Sequence, residues 1–587
     1  MEIRKRTISK MFKKSQTSSA PSLFAGISQH LNGRKLKQLE DSNAWHNCFY
    51  KEITSRIDEN IFSPLYSSDN GRANSSIRIL VSMLILKDGN DWTDEQLFEA
   101  CSFNILVSYA LGLTNLSDSV PCPATYYNFK LALLEYEQEK GITLLEKCFQ
   151  SLTKDQILRY EVSGASVRMD SKLIHSNVAK NTRLQLCLAV LVKFYKSLEE
   201  QSISLLNPSD KTLLEEISNK SVEQYTYRLN KQSASERLET CGALLYRLLD
   251  LYQNIESEEY ALLKRLWQDH FEIIEDTNGD ENEPKPKDTK GQSGSTLQSA
   301  HDPDAAYRNK PGSKKQVITG FVCNVTETCA VNPTVEEGLT EQKPLNLITD
   351  VQTEKATFSD DKFFMPAIEN TRKLLQDEIE NALTDGAYNS IINEQFSHFD
   401  DASFEWYLTA IQGAEGHYDF EQIDEQTYKV TDRRDGKVQT TVRTKKGKYR
   451  IKENHAKQTY RYFEQKTITN YFRRKQMENY PQWVHALRAN SEATIHQVFC
   501  KLNGMKSKYR GLFQHHQYAL NRCFWTNFKR IHAKNREFNR KSLIITFFSL
   551  LVTTKALSRV FQNYSCHRIF DKILYCYFKE RFLFRGF

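Results

Sequence analysis

The chain has 587 residues, 40% of them hydrophobic and 26% charged, with a formal net charge of +7. That length allows several domains of roughly 100–200 residues each, and the composition excludes a collagen, a coiled-coil rod and a wholly disordered chain. The 12 cysteines include no Cys-x-x-Cys pair, which argues against a zinc ribbon or a thioredoxin-like site and suits a reducing compartment. The longest apolar stretch, around Leu543 to Thr553, is too short for a membrane span of about 20 residues. The basic N-terminus, MEIRKRTISKMFKKS, has no apolar region after it, so it is no secretory signal. A soluble, cytoplasmic protein without a membrane partner is expected.

Residues 1–22 read as a loose basic arm. Residues 23–150 read as helical: Ile77, Leu80, Val81, Leu84 and Ile85 follow the spacing of an amphipathic helix that Asp88-Gly89-Asn90 should stop. Thr93 and Gln96 form a capping box for the next helix. Residues 160–175 change to a strand expected to end near Asp170. Helix resumes over 181–274, with Leu184, Leu188, Leu191, Tyr195 and Leu198 on one face and Leu238, Cys241, Leu245, Leu249 and Tyr252 on another. Thr277 to Thr296 lacks Val, Ile, Leu and Phe, so 277–300 reads as a linker. Strands are expected over Gln316–Val325 and Leu345–Val351, a helix over Ala367–Leu383, and a short strand before the turn at Asp385-Gly386. Residues 404–451 read as a β-rich insertion, and the chain from Lys452 onward as helical and basic.

Charge is unevenly spread. Residues 501–587 hold 18 basic and 3 acidic side chains, and residues 426–480 hold 16 and 5. Such blocks attract polyanions. A solvated, solubilising face explains either block alone equally well. Interleaved rings such as Tyr449, Tyr460, Tyr462, Tyr471, Tyr509 and Trp525 favour nucleic acid, although core packing accounts for many of them too.

No Walker A loop, GxSxG elbow or HExxH is present. Three acids stand out by context: Asp170 in Ser166-Val-Arg-Met-Asp170, Asp385 in Leu383-Thr-Asp-Gly-Ala-Tyr388, and Glu492 on the helical stretch Leu487–Gln497. Singly, each has a plainer explanation: a strand-end Asp is usually a turn or cap residue, and a helix Glu is usually solvated.

Together, the order strand-Asp, strand-Asp-Gly, helix-Glu resembles the DDE triad of bacterial insertion-sequence transposases. The resemblance spans residues 23–532. Gly71-Arg-Ala-Asn-Ser-Ser-Ile-Arg78, Thr93-Asp-Glu-Gln-Leu97, Tyr109-Ala-Leu-Gly-Leu113 and Pro123–Phe129 resemble that group's helical N-terminal domain. Met169–Leu173, Asp302–Ala305, Lys314–Phe321, Leu383–Ser390, Ser491–His496, Lys508–Gly511 and Asn527–Ile531 resemble its catalytic motifs. Many relatives carry Tyr-x2-Arg-x3-Glu-x6-Lys; here Arg488 and Glu492 fit, while His485 and Phe499 replace the Tyr and Lys, with Lys501 nearby.

The resemblance implies a helix-rich, mixed α/β fold. An all-α DNA-end-binding domain over 23–150 would precede an RNase H-like core over 160–532 with a helical insertion at 181–300 and the β-rich one at 404–451. A basic helical tail would cover 533–587. It implies that Asp170, Asp385 and Glu492 are both catalytic and metal-binding, holding two Mg²⁺ ions, with Mn²⁺ as the alternative, and that Asp170 bridges them. Arg488, His496, Lys501, Lys508 and Arg510 would contact DNA, with an intrahelical ion pair to Glu492 the other role open to Arg488 and packing the other open to His496. The expected partners are terminal inverted repeats, target DNA and a second copy of the chain, with the protein nucleoid-associated when bound. The expected reaction is hydrolysis at the element's ends and transfer of the 3′-hydroxyl to target DNA. The alternatives are a nuclease without strand transfer and a non-catalytic DNA-binding derivative.

Overall fold

The apolar spacing at residues 77–85 does produce a helix in the computed structural model of the chain. The described residues are 10–14, 26–67, 72–274, 283–288, 290, 292–310, 316–330, 344–399, 403–411, 415–453, 459–502 and 504–560; the side chains of 72, 283, 310, 316, 488–490 and 539–560 are not among them. The N-terminal helices include α1 (Trp45–Glu52), α2 (Ile77–Asn90), α3 (Asp94–Phe103), α4 (Pro123–Lys140) and α5 (Leu144–Arg159). Ser76 caps α2 by accepting from the Ile79 N–H at 3.4 Å. The helix absorbs Asp88, Gly89 and Asn90 and stops one residue later, at Asp91 with φ 64°. The capping box of α3 forms as read: the Gln96 N–H donates to Thr93 Oγ1 at 3.2 Å and the Thr93 N–H to Gln96 Oε1 at 2.9 Å.

The central sheet contains β1 (Ser166–His175), β2 (Gln316–Thr328), β3 (Ile348–Lys355), β4 (Asn381–Thr384) and β5 (Glu405–Leu408). β1, β2 and β3 pair antiparallel in succession, while β4 runs parallel to β1 and β5 parallel to β4. The order is β3-β2-β1-β4-β5, with a short strand, Ala306–Lys310, on the first part of β2. Side chains alternate across β1. Val167 and Met169 face one core with Phe363, Phe364, Ala367 and Ile368, the last three on α9 (Phe364–Arg372). Ile174 faces another, with Cys323, Val325, Ile348 and Val351.

That second core extends without a break into the N-terminal helices. It includes Phe49, Leu80, Leu84 and Phe149, and also Leu520, Cys523, Phe524 and Phe528 at the start of α12 (Leu512–Val560). The region expected to bind DNA ends is therefore packed into the sheet. Buried polar groups reinforce the joint. Asp88 accepts from Tyr509 OH and from Asn521 Nδ2, the latter at 2.7 Å. Arg522, fully buried, donates to the carbonyls of Gly89 at 2.8 Å and Asp88 at 3.0 Å, at the end of α2. It also donates to Val498 O at 2.6 Å and Gln497 O at 3.1 Å, at the end of α11 (Gln482–Phe499). One guanidinium thus satisfies carbonyls at two helix C-termini, the ends that favour a cation.

Between β1 and β2 lies a helical insertion that includes α6 (Arg183–Ser197), α7 (Lys231–Leu251) and α8 (Glu258–His270), with its own core including Leu188, Leu191, Leu245, Leu248, Leu263 and Leu266. Part of the expected linker is built into it: Glu283–Pro286 pairs with Phe271–Ile274, and Leu297 and Ala300 are buried in its core. Glu-Pro-Lys-Pro forms a strand only as half of a two-stranded ribbon, where an edge tolerates proline, so hydropathy holds no sign of it.

Three further readings change. β1 runs on to His175, placing Asp170 mid-strand. The helix expected over Ala367–Leu383 ends at Arg372, and β4 occupies the end of that span. Glu405–Leu408 belongs to the central sheet, so the β-rich insertion proper is Tyr418–Lys452 with Tyr460–Phe463. Short apolar runs suit helix and strand equally, and only their neighbours decide. The insertion packs Phe420, Val430, Tyr449, Ile451 and Phe463 against Ile468 of α10 (Gln465–Glu478).

The chain divides into two compact units, Met1–Phe528 and Lys529–Phe587. The second is helical to Val560, and residues 561–587 of the expected tail lie outside the described residues, as does most of the expected arm. No described helix is long and apolar enough to cross a membrane.

Candidate active site

Asp170 is two residues from Arg168 on β1, so both leave the strand on the same side, the side turned to α11. Asp385 follows β4 and caps the turn Gly386–Tyr388, accepting from the Ala387 N–H at 2.9 Å. The glycine after it has a steric cause: a Cβ at 386 would lie 2.1 Å from the Ala410 carbonyl oxygen, so only glycine lets this loop pass beside the chain leaving β5. Glu492 is exposed on α11. Remote in sequence, the three acids line one cleft of about 500 Å³.

The same cleft takes in Lys172, Arg308, Asp360 and His496. Asp360 accepts from Ser171 Oγ at 3.0 Å and pairs with Arg308 at 3.5 Å. Nothing in the spacing of Ser359-Asp-Asp361 separates Asp360 from an ordinary helix-cap residue, so no signal in the sequence points to it. Asp170 is the electrostatic focus. Burial raises its pKa, and the neighbouring charges of Asp385, Glu492 and Asp360 add to that. The Ser171 N–H at 2.8 Å offsets only part of the effect, and the result is about 6. Below the cleft, buried Tyr388 donates to Asn324 Oδ1 at 2.5 Å. Burial and the charges of Asp170, Asp360 and Asp385 hold its phenol well above the usual range.

The expected DNA contacts are placed unequally. His496 lines the cleft. Lys501 is exposed outside the cleft lining. Lys508 pairs with Asp91 at 3.0 Å and donates to its carbonyl at 2.7 Å, and Arg510 Nε donates to Asn177 O at 2.8 Å, so both cations also tie segments together. The Arg488 side chain lies outside the described residues. In the basic block of 426–480, several cations are matched locally: Arg433 pairs with Glu415 and Asp419, Arg434 with Asp432 and Glu453, Lys429 with Glu421 and Lys448 with Glu464. The sequence count of that block overstates the field it presents.

The donor chemistry of the cleft suits a hard divalent cation: the three acids offer only oxygen, and their mutual repulsion at Asp170 is the kind a cation relieves. Among the described residues no three His, Cys, Asp or Glu side chains stand close enough to hold one ion as they are placed. The fit is therefore in donor type and charge.

Comparison with known proteins adds one finding. Residues 36–130, which run from before α1 into α4, match the family model Transposase domain (DUF772). The match lies in the N-terminal helices and supports a DNA-processing role for the chain. No curated protein and no solved structure matches it.

Proposed function

We propose that the chain is a DDE transposase with an RNase H-like core. On this reading it binds the terminal inverted repeats of its own element, hydrolyses the phosphodiester at each end and joins the freed 3′-hydroxyl to target DNA. The observation that carries the reading is the convergence of Asp170, Asp385 and Glu492 on one cleft, from β1, the end of β4 and α11. The strand order β3-β2-β1-β4-β5, in which β2 alone of the five runs against the direction of β1, supports it, as does the transposase-model match at 36–130.

Divalent cations, when bound, supply the Lewis acidity that activates the attacking oxygen and stabilises the leaving one. Asp170, Asp385 and Glu492 are the residues that would hold them. Asp170 stands on the sheet and Asp385 is fixed by its own turn, so these two are rigidly aimed, while Glu492 closes the site from the helix. Lys172 and Arg308 bring positive charge to the cleft wall, where a phosphate backbone would pass. In the cell the chain would act as a dimer or larger assembly on paired ends, in the cytoplasm and on the nucleoid.

The test is cleavage of end DNA by purified protein in Mg²⁺ or Mn²⁺. Asp170→Asn, Asp385→Asn and Glu492→Gln should each lose cleavage by at least 1000-fold, roughly the scale of losing a catalytic electrostatic group, while gel-shift binding of end DNA persists. Cleavage retained by two of the three variants rejects the assignment.

A further inference from the structure

Two residues from Asp170 on the same strand, and two residues from Glu492 on the same helix, the sequence places groups that the reaction does not use. Arg168 is 4% exposed, yet it carries a full charge. Its Nε donates to Glu327 Oε1 at 2.6 Å, across the ladder from β1 to β2 where the two residues are directly paired. Its Nη1 donates to the carbonyl of Leu487, on α11, at 2.7 Å. Glu327, 1% exposed, also accepts from Thr494 Oγ1 at 2.6 Å. The Thr494 hydroxyl therefore links the helix to the sheet.

The helix is thus pinned at two points, one on either side of Glu492: Leu487 five residues before and Thr494 two residues after. Both pins end on the Arg168–Glu327 pair. That pair bridges β1, the strand that carries Asp170, and β2, beside a register irregularity in β2 at Thr326/Glu327. Taking two charges out of water is costly, and an apolar pair of similar size would hold the core as well or better. What an apolar pair lacks is direction: the guanidinium and carboxylate fix the rotation and height of α11 through bonds of defined geometry.

We propose that Arg168, Glu327 and Thr494 form a buried clamp that sets the position of Glu492 relative to Asp170. They are positioning residues for the divalent-cation site. The inference rests on the DDE reading of that site, so its experiment must separate the two. Thr494→Val keeps the shape of the side chain and removes only the hydroxyl, Thr494→Ser restores the hydroxyl, and Arg168→Gln removes the charge. Because Arg168→Gln risks misfolding, Thr494→Val is the primary variant. Mn²⁺ affinity of the full-length chain is read by loss of the free-ion electron paramagnetic resonance signal, alongside the Mg²⁺ concentration giving half-maximal cleavage of end DNA.

Thr494→Val should weaken Mn²⁺ binding about 5- to 10-fold and raise the Mg²⁺ requirement in parallel, with end-DNA binding unchanged; that ratio equals about 1–1.4 kcal/mol of misplacement. Thr494→Ser should return both within about 2-fold of the parent, about 0.4 kcal/mol. Parental metal affinity in Thr494→Val, or equal weakening in Thr494→Val and Thr494→Ser, overturns the clamp. If Glu492→Gln itself binds Mn²⁺ and cleaves like the parent, it is the DDE reading that fails.

Discussion

Replacing Asp170 with asparagine should make the metal-free protein more stable while abolishing its activity. In the folded chain Asp170 titrates near 6 against an ordinary 3.8, first because it is buried and then because Asp385, Glu492 and Asp360 crowd it. The sign follows from proton binding. Between those values the folded chain keeps a proton that the unfolded chain has lost, so stability falls as pH rises through 3.8 to 6, and the full penalty persists above 6. The difference between the two pKa values corresponds to about 3 kcal/mol. The asparagine side chain is neutral and keeps an oxygen for the Ser171 N–H, which in the parent donates to Asp170 Oδ1 at 2.8 Å. Urea unfolding in the presence of a chelator should therefore show Asp170→Asn more stable than the parent by about 1–3 kcal/mol at pH 8, with the gap closing toward pH 4. Buried Asp350, also raised to about 6, titrates in the same window but is common to both proteins and cancels in the comparison. Mg²⁺ should stabilise the parent and not the variant. A gap of zero or of opposite sign at pH 8, or one that does not depend on pH, refutes the picture of Asp170 as the centre of an uncompensated acidic cluster.

Gly386→Ala should cost about 1–3 kcal/mol in urea unfolding and reduce cleavage at least 10-fold, because the new Cβ would clash with the Ala410 carbonyl and the Asp385 turn must shift. Gly89→Ala should cost about 1–3 kcal/mol in urea unfolding, since its Cβ would lie 2.5 Å from the Trp525 ring in the shared core. Arg522→Met should cost on the order of 3 kcal/mol by stranding carbonyls at the ends of α2 and α11, and an unchanged urea midpoint would contradict the role drawn for it. Binding of end DNA should weaken steeply with salt. A chain ending at Phe528, which drops 13 basic and 3 acidic residues but keeps the core, should show a shallower salt slope in fluorescence anisotropy.

Much of the helical architecture was legible because its signals are local. The helix at residues 77–85, the Thr93/Gln96 box and the leucine faces of α6 and α7 depend on neighbours within a turn or two and appear where they were read, but α2 is buried on every side from Leu80 to Gly89 and is not the amphipathic helix its spacing suggested. The strands were less legible at their edges. β1 was cut short at Asp170 because Ser171 and Lys172 break the apolar pattern, although pairing with β2 carries the ladder through to His175. β5 was taken for part of an insertion because Glu-Trp-Tyr-Leu alternates like any hairpin strand, and only its parallel pairing with β4 assigns it to the central sheet. Of the cleft, the three acids were visible through their motif order, whereas Asp360 and the clamp were not. A buried Arg168 and a surface arginine are the same letter, and the difference lies in Glu327, which is 159 residues away in the chain, and in Thr494, which is farther still.

The same distinction bears on how the N-terminal helices can influence the chemistry. The resemblance implied an end-binding domain followed by a catalytic one, an arrangement that leaves room for loose communication between them. Instead α2, inside the matched segment, shares a core with β2, β3 and α12, and Arg522 holds its last carbonyls together with those of α11. α11 carries Glu492 and is tied at its other end to the strand of Asp170 through Arg168. A displacement of α2 therefore has two rigid routes to the carboxylates, one through the apolar core and one through a guanidinium whose bonds are all to backbone carbonyls or to Cys500 Sγ. Packed interiors pass strain on and do not absorb it. On the proposed function, engagement of an element's end by the N-terminal helices acts on the same rigid body that holds the cleft, and Arg522→Met should loosen the coupling of end binding to cleavage even where stability is restored by compensating changes elsewhere.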